Sequence, residues 1–189
     1  EGGTFSAQLV PQISALLTKH NLSKKDIDAF AVASGPGSFT GLRVGLAAVK
    51  ALAEILQKPI AAISLLEVVM RQIKSSGTLI SVLDAGRGEV FARTQTVGDH
   101  TALEELLSIA ELQTRVAATG IVTADEKLAD LFRSDGANVT LVKRPRADAV
   151  ARLGYEKIGS GETVTPEVLD ASYIRRSDAE IMRSSRDRK

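Results

Sequence analysis

At 189 residues and 20.0 kDa the chain can form one large domain or two small ones, and its 44% hydrophobic content supports a core burying roughly 70% of the unfolded surface. A net charge of +1 gives no global field toward nucleic acid or membrane, and zero cysteines exclude a disulfide scaffold or a thiolate metal site. No uncharged apolar run approaches the ~20 residues of a membrane helix, so the expected setting is soluble and cytoplasmic, with no membrane partner.

The first predicted element is a helix from Ser6 to His20, with Leu9, Ile13, Leu16 and Leu17 on one stripe and Pro11 in the opening turns, where its missing amide does least harm. Asn21-Leu22-Ser23 breaks it, and Ser23 is placed to cap a short turn. A buried strand follows at Ile27 and Phe30 to Ala33, stopped by Ser34-Gly35-Pro36-Gly37. Helix resumes at Thr40 or Gly41, with Ser38 and Thr40 as caps, and runs to Gln57. Gly41, Gly45 and Ala48, at steps of four and three, leave one side of it almost without bulk. A glycine inside a helix costs roughly 1 kcal/mol relative to alanine, so Gly45 points to a close approach by another backbone, inside the chain or outside it. The loop before this helix has three residues between Gly37 and Gly41, where a dinucleotide fingerprint needs two. Gly41 is followed by Leu42-Arg43 rather than the Lys-Ser/Thr of a P-loop.

Ile60 to Ile63 reads as a second buried strand, and Ser64 caps a helix whose apolar face is Leu65, Leu66, Val68, Val69 and Ile73. Strand and helix in alternation predict a parallel sheet. Ser75-Ser76-Gly77 marks a boundary, giving an N-terminal lobe over 1–76, a C-terminal α/β lobe over 77–174 and a basic, mobile tail over 175–189. In the second lobe, Thr78 to Leu83 and Glu89 to Val97 form a hairpin with a longer loop, Asp84 to Gly88. Asp84, Arg87 and Glu89 in that turn suit solvated ion pairing better than a catalytic carboxylate pair. The remaining elements are a helix from Ala102 to about Ile109, a strand near Val116 to Thr119, a Gly120 turn, a helix Glu126 to Arg133, a strand Val139 to Val142 and a helix Ala147 to Ile158.

Catalytic patterns are scarce. His20 and His100 are the two histidines, with no His-x-x-x-His spacing to hold a metal on a helix, and no Gly-x-Ser-x-Gly elbow occurs. Aromatics are 4% with no Trp, too few for a base-stacking platform.

As a string, Gly35-Pro36-Gly37-Ser38-Phe39-Thr40-Gly41-Leu42-Arg43 resembles the signature of the bacterial TsaB (YeaZ) family. Phe5 to Pro11 resembles that family's first helix start. Asp84-Ala85-Gly86-Arg87-Gly88-Glu89-Val90-Phe91 resembles its Asp-Ala-Arg-Arg-Gly-Glu-Val-Tyr turn, and Ala171-Ser172-Tyr173-Ile174-Arg175 its terminal Pro-x-Tyr-x-Arg. The likeness runs from Thr4 to about Arg175. It implies an actin-like (ASKHA, ribonuclease H-like) two-lobed α/β fold without a working ATPase site. It also implies a non-catalytic scaffold that pairs with the catalytic subunit TsaD and works with the ATPase TsaE to form N6-threonylcarbamoyladenosine beside the anticodon of tRNAs reading A-starting codons. No cofactor is implied for the chain itself, a nucleotide binding only at the interface of the assembled complex, and tRNA is met indirectly through that complex. By the same likeness Leu9, Ile13 and Leu16 with Gly41, Gly45 and Ala48 form the partner seam, taken by a second copy when TsaD is absent.

Departures from the pattern are Phe5 for a frequent His and Gly86 for Arg. Family members also begin with about thirty further residues, including a strand that would pair beside Ile27 to Ala33. The expectation is therefore a fragment whose open sheet edge drives aggregation, strand borrowing or dimerisation. An actin-like kinase or peptidase-like enzyme, and a self-associating structural module, stand as the alternative classes.

Overall fold

The computed structural model describes residues 5–74, 76–96, 98, 101–116, 119–172 and 174. In chain order the elements are α1 (Phe5–Lys19), a 3-10 turn (Lys24–Asp26), β1 (Phe30–Gly35), α2 (Phe39–Leu56), β2 (Ile60–Ser64) and α3 (Leu65–Met70). They continue with β3 (Thr78–Gly86), β4 (Glu89–Thr96), β5 (Ala102–Ser108), α4 (Ile109–Arg115), β6 (Gly120–Thr123), α5 (Glu126–Ser134), β7 (Val139–Leu141) and α6 (Ala147–Gly159). They divide into two compact units, the first from the described parts of residues 1–68 and 145–171, the second from those of 69–144 and 172–189.

In the first unit β1 and β2 pair in parallel, Phe30 opposite Ile60 through Ala33 opposite Ile63. Successive side chains of a strand point to opposite faces, and here both faces are covered. Phe30, Val32, Ile60 and Ala62 meet Leu46, Val49 and Ala53 of α2, while Ala31, Ala61 and Ile63 meet Ala149, Val150 and Leu153 of α6. That is why both strands read as unbroken apolar runs. Gly154 sits where α6 crosses the strands. A Cβ there would overlap that of Ala31 and lie 3.4 Å from its Cα and 3.7 Å from the Ala61 Cβ, so the crossing depends on the missing methyl. Beside it, Lys157 of α6 donates to Glu67 of α3 at 2.8 Å, the two side chains 19% and 9% exposed. Residues 147–158, read from sequence with the 77–174 lobe, thus pack in the first unit. Periodicity shows that a helix has an apolar face and is silent about which sheet it covers.

The second unit holds a five-stranded sheet in the order β5-β4-β3-β6-β7, with β3, β4 and β5 antiparallel and β6 and β7 parallel to β3. One core cluster joins Ile80, Val82, Val90, Ala92 and Leu107 to Leu112, Leu128 and Phe132 of the helices. Another joins Leu79 and Val122 to Val69 and Met70. Four expectations need correction. Residues 102–108 form a strand: Ala-Leu-Glu-Glu-Leu-Leu has high helix propensity, but pairing on β4 sets Arg93 against Glu104 at 2.8 Å and delivers Leu107 to the core. The strand expected near Val116 to Thr119 lies at Gly120–Thr123, since Val116 caps α4 and is buried there. The β3–β4 hairpin has a two-residue loop, with Arg87 and Gly88 at φ 59° and 77°, the positive pair of a type I′ turn. Ile73 lies beyond the end of α3 but still packs against the Val69 cluster.

Candidate functional site

The signature loop is built by the end of β1. Gly35 has φ 145°, which favours glycine, and the Gly35–Pro36 bond is cis. Ser34, Gly35 and Pro36 are buried while Gly37, Ser38, Phe39 and Thr40 are exposed, so the turn enters α2 on the surface. Ser38 is the cap: its Oγ accepts from the Gly41 amide at 3.4 Å and its carbonyl accepts from Leu42 at 2.8 Å. The Arg43 guanidinium stacks 3.9 Å above the Phe39 ring, one helical turn along the same face. These contacts fix the loop from within.

α1 packs beside α2. Leu9, Ile13 and Leu17, spaced by fours, are half-buried, whereas Leu16 is 59% and Val10 52% exposed; the stripe read from sequence is therefore divided, with Leu16 facing outward. On α2, Leu46 and Ala53 enter the core while Gly41, Gly45 and Ala48 are half-exposed. Among the described residues nothing lies within 4 Å of a Cβ built at Gly45, and one built at Gly41 would meet only Ser38, at 3.6 Å. Ile55, further along α2, is 74% exposed. The low-bulk face is thus open at Gly45.

The second unit offers less. Asp84 is spent on its own turn, accepting from the Gly86 amide at 2.8 Å, and Ala85 bulges out of the ladder. Arg87 takes a positive-φ position of the turn and Glu89 opens β4 opposite Gly86. Among the described residues no group of three or more His, Cys, Asp or Glu is positioned to hold a metal ion, and no helix is long and apolar enough to cross a membrane. His100, Tyr173 and the tail 175–189 lie outside the described residues.

The titration of the caps is set locally. Asp26 is held below its ordinary range mainly by the backbone hydrogen bond from Ser23, and Glu111 by the Ser108 hydroxyl and then its amide. Sequence reading missed Gly154 and the Glu67–Lys157 pair. An isolated glycine inside a helical pattern was the signal for the first, whereas nothing in the sequence couples residues 67 and 157.

A family model described as tRNA N6-adenosine threonylcarbamoyltransferase (TsaD) matches residues 3–164. The tRNA threonylcarbamoyladenosine biosynthesis protein TsaB of Bacillus subtilis is 30% identical over 190 residues, 93% of this chain and 81% of that protein. A tRNA N6-adenosine threonylcarbamoyltransferase of Wolbachia pipientis is 35% identical over 169 residues, 86% of this chain and 50% of its own length. Among solved structures, a Pseudomonas aeruginosa protein described as similar to peptidase YeaZ superposes with a TM-score of 0.70 at 22% identity, over 91% of this chain and 85% of that one. YeaZ from the same organism gives 0.68 at 22%, over 89% and 83%. The expected actin-like α/β fold stands on this likeness. With a family model across residues 3–164 and a TsaB relative 30% identical over 93% of this chain and 81% of its own length, the chain belongs to the TsaB (YeaZ) family.

Proposed function

We propose that this chain takes part in forming N6-threonylcarbamoyladenosine in tRNA, as the relative named TsaB does by its description. In this reading it is a non-catalytic scaffold. The faces of α1 and α2 receive a TsaD-type catalytic subunit, a TsaE-type ATPase works with the pair, and the modified adenosine lies beside the anticodon of tRNAs reading A-starting codons. A second copy takes the same face when the catalytic subunit is absent. The chain holds no cofactor of its own, and a nucleotide enters only at the assembled interface.

The observation that carries the pairing is the uncovered seam. Among the described residues Gly45 has open space where a side chain would begin, and Val10 and Leu16 on α1 and Ile55 on α2 are exposed. Exposed apolar side chains on two helices that pack together fit a contact surface. A glycine mid-helix costs about 1 kcal/mol, and no described residue of this chain comes close enough to offset that, which fits a backbone approaching from outside.

Mixing the chain with the TsaD-type subunit from its own organism and running size-exclusion chromatography tests the reading, with a stoichiometric complex expected. Gly45→Leu should abolish that complex and leave the circular dichroism spectrum unchanged, because the new side chain leaves the helix at a point where a Cβ has no described atom within 4 Å. An unimpaired Gly45→Leu complex would place the seam elsewhere. Appreciable ATP turnover by the isolated chain would overturn the scaffold assignment.

A further inference from the structure

Two basic segments far apart in sequence are joined in the second unit. Gln72 donates from Nε2 to the Lys143 carbonyl at 2.8 Å, and Ile73 and Val142 pack in the same apolar cluster, so residues 71–74 run alongside the exit of β7. Arg71 and Lys74 on the first segment and Lys143 and Arg144 on the second are all exposed. Lys143 and Arg144 also line a cleft of about 630 Å³ at the carboxyl ends of β6 and β7, with exposed Lys127 from the start of α5 on its wall.

Three carboxylates share the cleft: Asp84, Asp125 and Glu126. The first two are occupied with backbone amides, Asp84 with Gly86 and Asp125 with Lys127 and Leu128 at 2.9 and 3.2 Å. Among the described residues no carboxylate oxygen comes within 4.0 Å of the charged nitrogens of Lys74, Lys127, Lys143 or Arg144, whereas Arg93, Arg115 and Lys157 are each in an ion pair at 2.8 Å or less. These cations are presented to solvent on a pinned backbone, not consumed by the fold.

We infer that Lys74, Lys127, Lys143 and Arg144 form a contact surface for the phosphodiester backbone of tRNA. The inference goes beyond the proposed function, in which tRNA is met only through the complex, and it takes from that reading only that tRNA is the substrate. Long flexible cations in an open, shallow cleft with no aromatic side chain on its wall suit phosphates and not base edges, so the contact adds affinity without sequence choice.

The test titrates a fluorescently labelled tRNA transcript with the chain alone and with its complex with the TsaD-type subunit, over a series of salt concentrations, following anisotropy. Against wild type stand Lys74→Gln/Lys127→Gln/Lys143→Gln/Arg144→Gln, a charge-keeping Lys127→Arg/Lys143→Arg/Arg144→Lys, and Lys19→Gln/Lys24→Gln/Lys25→Gln as exposed cations of the first unit. The four-site glutamine variant should weaken binding at least about tenfold near 0.1 M salt and flatten the slope of log K against log salt by about three. The charge-keeping variant should bind as wild type does. Unchanged affinity and slope in the four-site variant, or an equal loss in the first-unit control, overturns the inference. Complex formation by the four-site variant is read separately by size-exclusion: its persistence with lost tRNA binding assigns the effect to this surface. If wild type itself forms no complex, the scaffold reading fails while the titration of the chain alone still decides the phosphate contact.

Discussion

Replacing Gly154 by alanine adds one methyl group to the inner face of α6, at the point where the helix lies against Ala31 and Ala61. That methyl would overlap the Ala31 side chain and press on its Cα at 3.4 Å, and a backbone atom cannot rotate away as a flexible side chain can. Overpacking of this kind costs about 1 to 3 kcal/mol, and overlap with the Ala31 Cβ above its backbone puts this site at the upper end; the helix-propensity gain of about 1 kcal/mol acts against it, leaving a net loss of about 2 kcal/mol. The same change at Gly45 meets no described atom within 4 Å and keeps only the gain, about 1 kcal/mol of added stability. One chemical edit on two helices therefore has opposite signs. Urea unfolding of both variants, followed by far-ultraviolet circular dichroism at a concentration where each is monodisperse, reads the difference. In a thermal scan about 2 kcal/mol corresponds to a midpoint lower by roughly 4 to 8 °C for a protein of this size. A Gly154→Ala variant as stable as wild type would refute the close crossing of α6 over β1 and β2, and with it the assignment of α6 to the first unit.

The remaining predictions concern charges. Lys157→Met removes the ammonium from a carboxylate only 9% exposed and should cost about 2 to 3 kcal/mol, while Glu67→Leu/Lys157→Met should recover part of that loss; a double variant no better than the single one would show the pair is incidental. Glu111 has its folded value depressed by Ser108, so its contribution is present above the ordinary carboxylate range and fades as pH falls through the lowered folded value. Glu111→Gln should accordingly be less stable than wild type at neutral pH and indistinguishable from it in strong acid, as read from denaturant midpoints against pH; a gap that widened on acidification would contradict the sign. Gly88→Ala should lower stability by about 1 kcal/mol, since φ 77° is costly for any residue with a Cβ, and an unchanged thermal midpoint would argue against the type I′ turn.

Local chemistry was legible wherever the residues that decide it are neighbours. Ser23 with Asp26 wrote a capping box, Ser38 before Gly41 wrote the start of α2, and continuous apolar runs wrote β1 and β2. The signature from Gly35 to Arg43 points to the family by itself, because a nine-residue string is specific in a way that composition is not. The low-bulk face at Gly41, Gly45 and Ala48 could be read from spacing, but whether this chain covers it could not, and the open space at Gly45 is a property of the packed helices alone. Residues 102–108 and 147–159 mark the limit. The first has helix-forming residues overruled by a partner strand, and the second has an apolar stripe whose destination depends on Ala31 and Ala61 more than eighty positions away. Sequence alone determined the caps, the two buried strands and the family likeness, each written within a few residues, and it named a candidate seam. Tertiary structure alone decided which sheet each helix covers and which cations meet across Gln72 and Lys143, since those contacts depend on pairings between distant segments that no local pattern encodes.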